Sequence, residues 1–417
     1  MKNRKIAVVI LAAGKSTRMK SGTPKVLHAI CQRRVLDYVL DLVKGIKAKK
    51  VIAVLGHKHQ EVGRLIPKGV KAVIQKRLLG TADAVKTALP LLKNFKGTVL
   101  VLYADNPLLK KDTIDKLLKH HIESRSDATL LTAKTDKPYG YGRILRDKYS
   151  SICGIIEERD ADDFQKNIQE INTGIICFKK GSLAYALKQV RANNAKKEFY
   201  LTDAVAALYK KGCIVEALRI ADIKEASGIN SREDLAVATG IMQQRINQQF
   251  MKAGVTIVAP ETAFISFDAK IGRDTTIYPF TVIERDVKIG KSCSVGPFIH
   301  LRPGTRIEDN VSVGNFLEVV RSKISSNTKA RHFGYLGDTR IGRFANIGAG
   351  TVTANFDGKS KNSTVIGDNV FIGSDTVLVA PVRVGKGAKT GAGSVLTRNK
   401  DVPAKTTVVG VPARPLK

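Results

Sequence analysis

Two unlike hydrophobic rhythms run along this chain. Up to about residue 228, short apolar runs alternate with stretches of helical spacing. Ile6–Leu11, Val51–Leu55, Ala72–Ile74 and Thr98–Tyr103 are apolar runs of strand length, whereas Val35–Val43, Ala82–Leu92 and Thr113–His121 space their apolar residues three and four apart. Runs apolar throughout read as strands buried on both faces, and their alternation with helices predicts an α/β domain with a largely parallel sheet. Residues 231–251 read as one helix. Ser231 with Asp234 resembles a capping box, Leu235, Ala238, Met242, Ile246 and Phe250 keep helical spacing, and Gly254 follows the end.

Beyond residue 255 the rhythm changes to a period of six. Ile265, Ile271, Ile277, Ile283, Ile289, Val295, Leu301, Ile307, Val313 and Val319 recur without a miss, and several of the repeat aliphatics, Ile271, Ile289 and Val313 among them, are followed by Gly. A hexapeptide period predicts a parallel β-helix, one short strand and turn per repeat, with the aliphatic pointing inward. The register slips after Val319. It resumes at Ile341 and Ile347, and again at Ile366, Ile372, Leu378 and Val384. The polar stretch between Thr353 and Ile366 is expected to project as a loop.

Composition narrows the class. The chain has 417 residues, 43% hydrophobic and 26% charged, which excludes a mainly disordered protein. Its 70 Lys and Arg against 37 Asp and Glu leave a net charge of +33, which favours anionic partners. The cations are dispersed, aromatics are only 6% and Trp is absent, so a nucleic-acid reader built on base stacking is disfavoured. Cys31, Cys153, Cys177, Cys213 and Cys293 are odd in number and widely spaced, which suggests neither disulfides nor zinc and points to a reducing, cytoplasmic compartment. The basic start, Met1 to Lys5, resembles a signal n-region. The apolar run after it is only eight residues long and ends in no cleavage site, and no run approaches a membrane span.

The candidate chemistry of the first half lies where strands end. Leu11-Ala12-Ala13-Gly14-Lys15-Ser16-Thr17-Arg18-Met19 follows the first strand with small residues and a cation, suited to backbone approach and phosphate contact. It is neither a Walker A loop nor a dinucleotide fingerprint. Pro24-Lys25 brings a second cation, Gln75 and Gly80-Thr81 end a later strand, and Tyr103-Ala104-Asp105 sets a carboxylate at the sheet edge where open α/β sheets bind ligands.

These pieces resemble a known family. Leu-Ala-Ala-Gly-x-x-Thr-Arg-Met followed by Pro-Lys-Val-Leu resembles the sugar-phosphate nucleotidylyltransferases. Gln75, Gly80-Thr81, Tyr103-x-Asp105-x-Pro107-Leu108, Gly140-Tyr141-Gly142-Arg143, Glu157, Glu170 to Gly174 and Gly228-Ile229-Asn230 resemble one branch. That branch is the bifunctional N-acetylglucosamine-1-phosphate uridylyltransferase/glucosamine-1-phosphate acetyltransferases, and the likeness runs over nearly the whole chain. It implies a Rossmann-like nucleotidylyltransferase domain over 1–228, a connector helix over 229–252, and a left-handed parallel β-helix acetyltransferase domain over 253–417. It also implies a cytoplasmic homotrimer that uses UTP, acetyl-CoA and Mg²⁺ to make UDP-N-acetylglucosamine for cell-wall assembly.

The roles it implies are specific. Leu11, Ala12, Ala13 and Gly14 contact the nucleotide, Gln75, Gly80 and Thr81 read uracil, and Arg18 and Lys25 hold the triphosphate. Asp105 and Asn230 bind Mg²⁺, Gly140, Glu157 and Asn172 hold the acetylated sugar, and Tyr103 belongs to the same UTP/UDP-N-acetylglucosamine-binding set. In the β-helix, His332 is the general base, Arg302 and Lys361 bind the sugar phosphate, and Tyr335 and Asn346 place the sugar. The Ala349 amide meets the thioester oxyanion, and Ser374 and Ala392 line the coenzyme A site. Lys361, on the projecting loop, is expected to complete a neighbour's site.

The chain departs from the family pattern at two of these positions. The family carries Lys two residues after the Glu that matches Glu318, and this chain has Val320; Arg321 beside it is expected on the other side of the strand. A Tyr expected after Asn355 is Phe356. The β-helix is also shorter than usual by a coil or two. The alternatives left open are a uridylyltransferase whose β-helix is a trimerisation scaffold or acylates another amino sugar, a regulatory subunit with an inactive nucleotidylyltransferase fold, and a basic nucleic-acid binder.

Overall fold

The computed structural model describes residues 5–416, so the charged segment Met1–Arg4 lies outside the described residues. The chain divides after Ala238 into two compact units. The cut falls within the helix Arg232–Lys252.

The first unit is built on a nine-stranded sheet. Its strands are β1 (Ile6–Ala12), β2 (Lys50–Leu55), β3 (Lys71–Ile74), β4 (Thr98–Tyr103), β5 (Ala128–Lys134), β6 (Gly142–Arg146), β7 (Ile152–Ile156), β8 (Glu170–Lys179) and β9 (Val215–Arg219). Their order is β9-β5-β8-β4-β1-β2-β3, with the β6–β7 hairpin attached to β8. Pairings from β4 through β3 and between β9 and β5 are parallel. The expectation of a largely parallel sheet needs correction: β8 lies antiparallel between β4 and β5, and the β6–β7 hairpin adds two further antiparallel pairings. An apolar run shows that a strand is buried but carries no direction.

Burial on both faces explains the unbroken apolar runs. Along β1, Ala7, Val9 and Leu11 join the core under helices Thr81–Ala88, Lys180–Gln189 and Asp203–Lys210. Ile6, Val8 and Ile10 join the core under Val35–Ile46 and Lys111–Glu123. The stretch Ala82–Leu92 is not one α-helix. It ends at Ala88 and continues as a 3-10 turn over Leu89–Leu92, because Pro90 has no N–H to extend the α pattern.

The second unit is a three-sheet parallel β-helix. Phe264 pairs with Val282 and Val282 with His300, each eighteen residues on, so three six-residue repeats make one coil. The periodic aliphatics point inward: Ile277, Ile283, Val295, Leu301 and Val319 are all buried. The register slip has a simple cause. Ile307 pairs with Ile324 and Ile324 with Ile341, seventeen residues on each time, so two successive coils have each lost a residue, after Val319 and after Leu336. Ile341 then pairs with Ile366, twenty-five residues on, and the surplus is the loop between strands Thr351–Ala354 and Thr364–Ile366. That loop is closed by a Phe356–Lys361 bridge and by Arg398 on Asp357 at 2.9 Å. The first coils are capped by a helical segment, where fully buried Asn247 donates to the carbonyls of Pro260 (2.7 Å) and Ala263 (3.1 Å).

Candidate functional sites

In the first unit the predicted residues gather where β1 and β4 end. Leu11 and Ala12 close β1, and the Ala13 carbonyl accepts the His57 N–H at 3.1 Å, tying the loop to the turn after β2. Space beside Gly14 is open, with nothing within 4 Å of where a Cβ would stand. Arg18 is exposed on the 3-10 turn Thr17–Met19, which is anchored by buried Met19. The Lys25 ammonium bonds both the Asp105 carboxylate and, at 3.1 Å, the Asn230 carbonyl oxygen.

That convergence is fixed from both sides. Asp105 is 9% exposed, and its own carbonyl accepts the Ile229 N–H at 2.9 Å, which holds Asn230 nearby. The N–H groups of Asn230 and Ser231 donate to Asp234 at 2.8 and 2.9 Å, and Ser231 Oγ accepts the Asp234 N–H at 3.1 Å, which is the capping box read in the sequence. Two hard oxygens, one of them anionic, therefore face one cationic point. Among the described residues no three His, Cys, Asp or Glu side chains cluster as metal ligands. A divalent ion held by these two oxygens would keep most of its waters, as Mg²⁺ does.

Base and sugar candidates flank this point. Gln75 is 5% exposed, and its Nε2 donates to the Gly80 carbonyl (3.1 Å) and the Asp83 carboxylate (2.7 Å). It borders a cavity of about 550 Å³ shared with Lys15, Gly56, His57 and Lys76. Thr81 opens the next helix and accepts the Leu201 N–H at 2.9 Å. The β8 strand bulges between Asn172 and Ile176, and Asn172 Oδ1 accepts the Gly174 N–H at 3.0 Å. Gly174 has φ +81, and a Cβ there would lie 2.7 Å from the Tyr103 ring, so only glycine lets the bulge close on Tyr103. Burial first, then the Glu157 and Asp105 charges, pushes the Tyr103 phenol pKa up. Burial also raises the Glu157 carboxyl, against a 3.1 Å hydrogen bond from Thr202. Gly140 faces a different carboxylate, donating its N–H to Glu158 at 2.9 Å.

Two residues of this region escaped the sequence reading. Arg143 was quoted only as part of a motif, yet it is 1% exposed and holds Glu158 at 2.7 Å. Asp203 looks like an ordinary first-turn acid, yet burial and the neighbouring Glu157 and Asp160 raise its pKa to about 6.

In the second unit the predicted residues fall into two groups. The Phe333 carbonyl accepts the Gly350 N–H, the Ala349 carbonyl accepts the Asp375 N–H, and the Ser374 carbonyl accepts the Gly393 N–H, at 2.6–2.8 Å. His332, Ala349, Ser374 and Ala392 therefore stack on successive coils at one corner of the β-helix, about 4.8 Å apart per step. Asn346 lies on the strand leading into that corner. The second group lies on the sheet that leaves it. Arg302 Nη1 donates to Glu318 at 2.6 Å, and Glu318 pairs in register with Tyr335. Lys361 sits on the projecting loop, within electrostatic range of Asp338.

Arg321 corrects an expectation. The strand ends at Val320, and Arg321 is a corner residue with φ +47 rather than an inward strand position. Its side chain is part-exposed and makes a bidentate pair with Asp338, at 2.6 and 2.8 Å.

Comparison with known proteins agrees with this division. The family described as a MobA-like NTP transferase domain matches residues 8–200, and the bacterial transferase hexapeptide family, six repeats, matches residues 363–398. The bifunctional protein GlmU of Thermosipho africanus is 42% identical over 435 aligned positions, covering 96% of this chain and 94% of that protein. Those of Carboxydothermus hydrogenoformans and Alkaliphilus metalliredigens are 40% and 38% identical, covering 96% and 97% of this chain and 96% of each relative. The chain therefore belongs to the GlmU family of bifunctional uridylyltransferase and acetyltransferase proteins.

Proposed function

We propose that the β-helix unit acetylates glucosamine-1-phosphate from acetyl-CoA, and that the α/β unit then joins the product to UMP from UTP, releasing pyrophosphate. The product, UDP-N-acetylglucosamine, feeds cell-wall assembly in the cytoplasm. The observation that carries the acetyl step is the corner column of His332, Ala349, Ser374 and Ala392, one residue per coil. The extended arm of coenzyme A matches a column that rises by one residue per coil. His332 takes the proton from the sugar amine as the nitrogen attacks the thioester carbonyl. The N–C bond forms, the C–S bond breaks, and the proton passes to the leaving thiolate. The Ala349 N–H donates to the oxyanion.

In the uridylyl step, an oxygen of the sugar phosphate attacks the α-phosphorus and the bond to pyrophosphate breaks. Arg18 and Lys25 hold the phosphates against the backbone of Leu11 to Gly14. Both N–H groups of the Gln75 amide are committed to Gly80 and Asp83, so its carbonyl oxygen serves as acceptor for the N3–H of uracil. Cytosine, with an unprotonated N3, would face that oxygen with a lone pair. Thr81 supports the same pocket, while Tyr103, Gly140, Glu157 and Asn172 border the sugar. Asp105 and Asn230 would hold Mg²⁺, which supplies positive charge beside the reacting phosphate. The protein's own share is positioning and charge neutralisation.

A homotrimer fits the exposed side of the same corner. Phe280, Phe298, Phe316 and Phe333 follow one another there, all 44–66% exposed, and the first three stack with ring centroids 4.9 Å apart. A second copy of the chain covering this ladder would bring the Lys361 loop of one protomer toward the site of another. Val320 favours a second reading, in which the β-helix is only a scaffold. Thiol release from acetyl-CoA with glucosamine-1-phosphate as acceptor decides between them: turnover supports the acetyl step, and its absence beside active uridylyl transfer leaves the scaffold.

A further inference from the structure

The outer face of the β-helix around Arg302 lacks a cation at one position and gains one from another. Val320 pairs in register with Gly337 and lies one step past the Leu301–Val319 pair, level with Arg302. It shares its strand face with Glu318, two residues away, and Glu318 holds the Arg302 guanidinium. Position 320 is therefore a buried apolar spot, 2% exposed, in the middle of a charged face.

Arg321 reaches the same spot from the corner. Its left-handed backbone turns the side chain away from the core, and the guanidinium meets both Asp338 and the Tyr335 hydroxyl. Tyr335 also lies within electrostatic range of Arg302, and Asp338 within range of Lys361. Gly337 explains how the groups come so close. A Cβ there would stand 2.6 Å from the Tyr335 hydroxyl and 2.7 Å from the Asn355 amide nitrogen, so both side chains close over the bare backbone beside Val320. Asn355 in turn donates to Asp338. Arg302 and Arg321, each held by its own carboxylate, thus flank Tyr335 on one face of the β-helix.

We infer that Arg321 is a phosphate-binding residue of the acetyl-acceptor site, supplying from the corner the positive charge that position 320 does not carry. This rests on the acetyl-transfer reading above. The ligand class is a sugar phosphate monoester. The Asp338 pair takes Nε and Nη2, and of the five guanidinium donors those not engaged by Asp338 and the Tyr335 hydroxyl are left for a phosphate oxygen. Glu318 and Asp338 hold both forks in place before the ligand arrives, which lowers the freedom lost on binding.

The test uses the full chain and the variants Arg321→Gln, Arg321→Lys and Arg321→Gln with Val320→Lys. Binding of glucosamine-1-phosphate is measured by calorimetry, and thiol release is measured with glucosamine-1-phosphate and with glucosamine. Arg321→Gln should raise Kd and KM for the phosphate ester by about 10–100-fold, the scale of a lost charged hydrogen bond. Its kcat should stay within about threefold, and phosphate-free glucosamine should be affected far less. Arg321→Lys, which keeps the charge, should lose less than Arg321→Gln. Adding Val320→Lys should recover at least tenfold, which a merely structural corner arginine would not allow. Unchanged Kd and KM in Arg321→Gln overturn the assignment alone, as does a loss that Val320→Lys leaves in place. Neither binding nor turnover in the unaltered protein overturns the acetyl-transfer reading as well.

Discussion

Replacing Asp105 by Asn removes a charge and almost nothing else. Asp105 is 9% exposed, and its partner Lys25 keeps only 17% of its side chain in solvent. After the change, Lys25 retains the Asn230 carbonyl at 3.1 Å. Breaking a fully buried pair costs about 3–5 kcal/mol; with some solvent and one acceptor left, about 2 kcal/mol is the scale here. For a unit of this size that lowers Tm by roughly 4–8 °C, well short of unfolding it. The effect on chemistry is larger. If this carboxylate holds the Mg²⁺ that offsets charge where the phosphates react, its loss should cost about 3–4 kcal/mol in the transition state, or roughly 10²–10³ in kcat. The assay is pyrophosphate release from UTP and N-acetylglucosamine-1-phosphate at saturating Mg²⁺, with thiol release from acetyl-CoA followed in parallel. Pyrophosphate release within threefold of the unaltered protein would refute the reasoning, and loss of both activities would refute the independence of the two sites.

Three further outcomes follow. His332→Ala should slow thiol release by about 10²–10⁴ and leave pyrophosphate release intact; an unchanged rate removes His332 from the mechanism. Gln75→Ala should weaken UTP and narrow its preference over CTP, read as the ratio of kcat/KM for the two nucleotides; an unchanged ratio removes Gln75 from base selection. The Asp203 carboxyl, raised by burial from 3.8 to about 6, keeps its proton in the folded state while the unfolded chain has lost it. Stability should therefore fall as pH rises between about 4 and 6, and Asp203→Asn should flatten Tm over that window.

Much of this was legible in the sequence because burial writes itself into composition. The run Thr98–Tyr103 has the same bounds as the strand, since both of its faces are covered. The six-residue period gave the coil directly. It failed after Val319, where a five-residue step was followed by Ala330, too small to register as a periodic aliphatic, and then by a second five-residue step from Leu336 to Ile341. What stayed hidden depends on partners distant in the chain. The direction of β8, the Lys25–Asp105–Asn230 convergence and the burial of Arg143 are set by packing, not by local pattern. Arg321 was misread because strand alternation was carried one residue too far, into a corner whose left-handed φ reverses the side chain's direction.

The account stands most directly on one incubation. The purified chain alone would receive glucosamine-1-phosphate, acetyl-CoA, UTP and Mg²⁺, and products would be followed by mass spectrometry. Stoichiometric UDP-N-acetylglucosamine, appearing after a lag in which N-acetylglucosamine-1-phosphate accumulates, is the predicted result. Formation of UDP-N-acetylglucosamine only when N-acetylglucosamine-1-phosphate is supplied would contradict it and leave the β-helix without its proposed reaction.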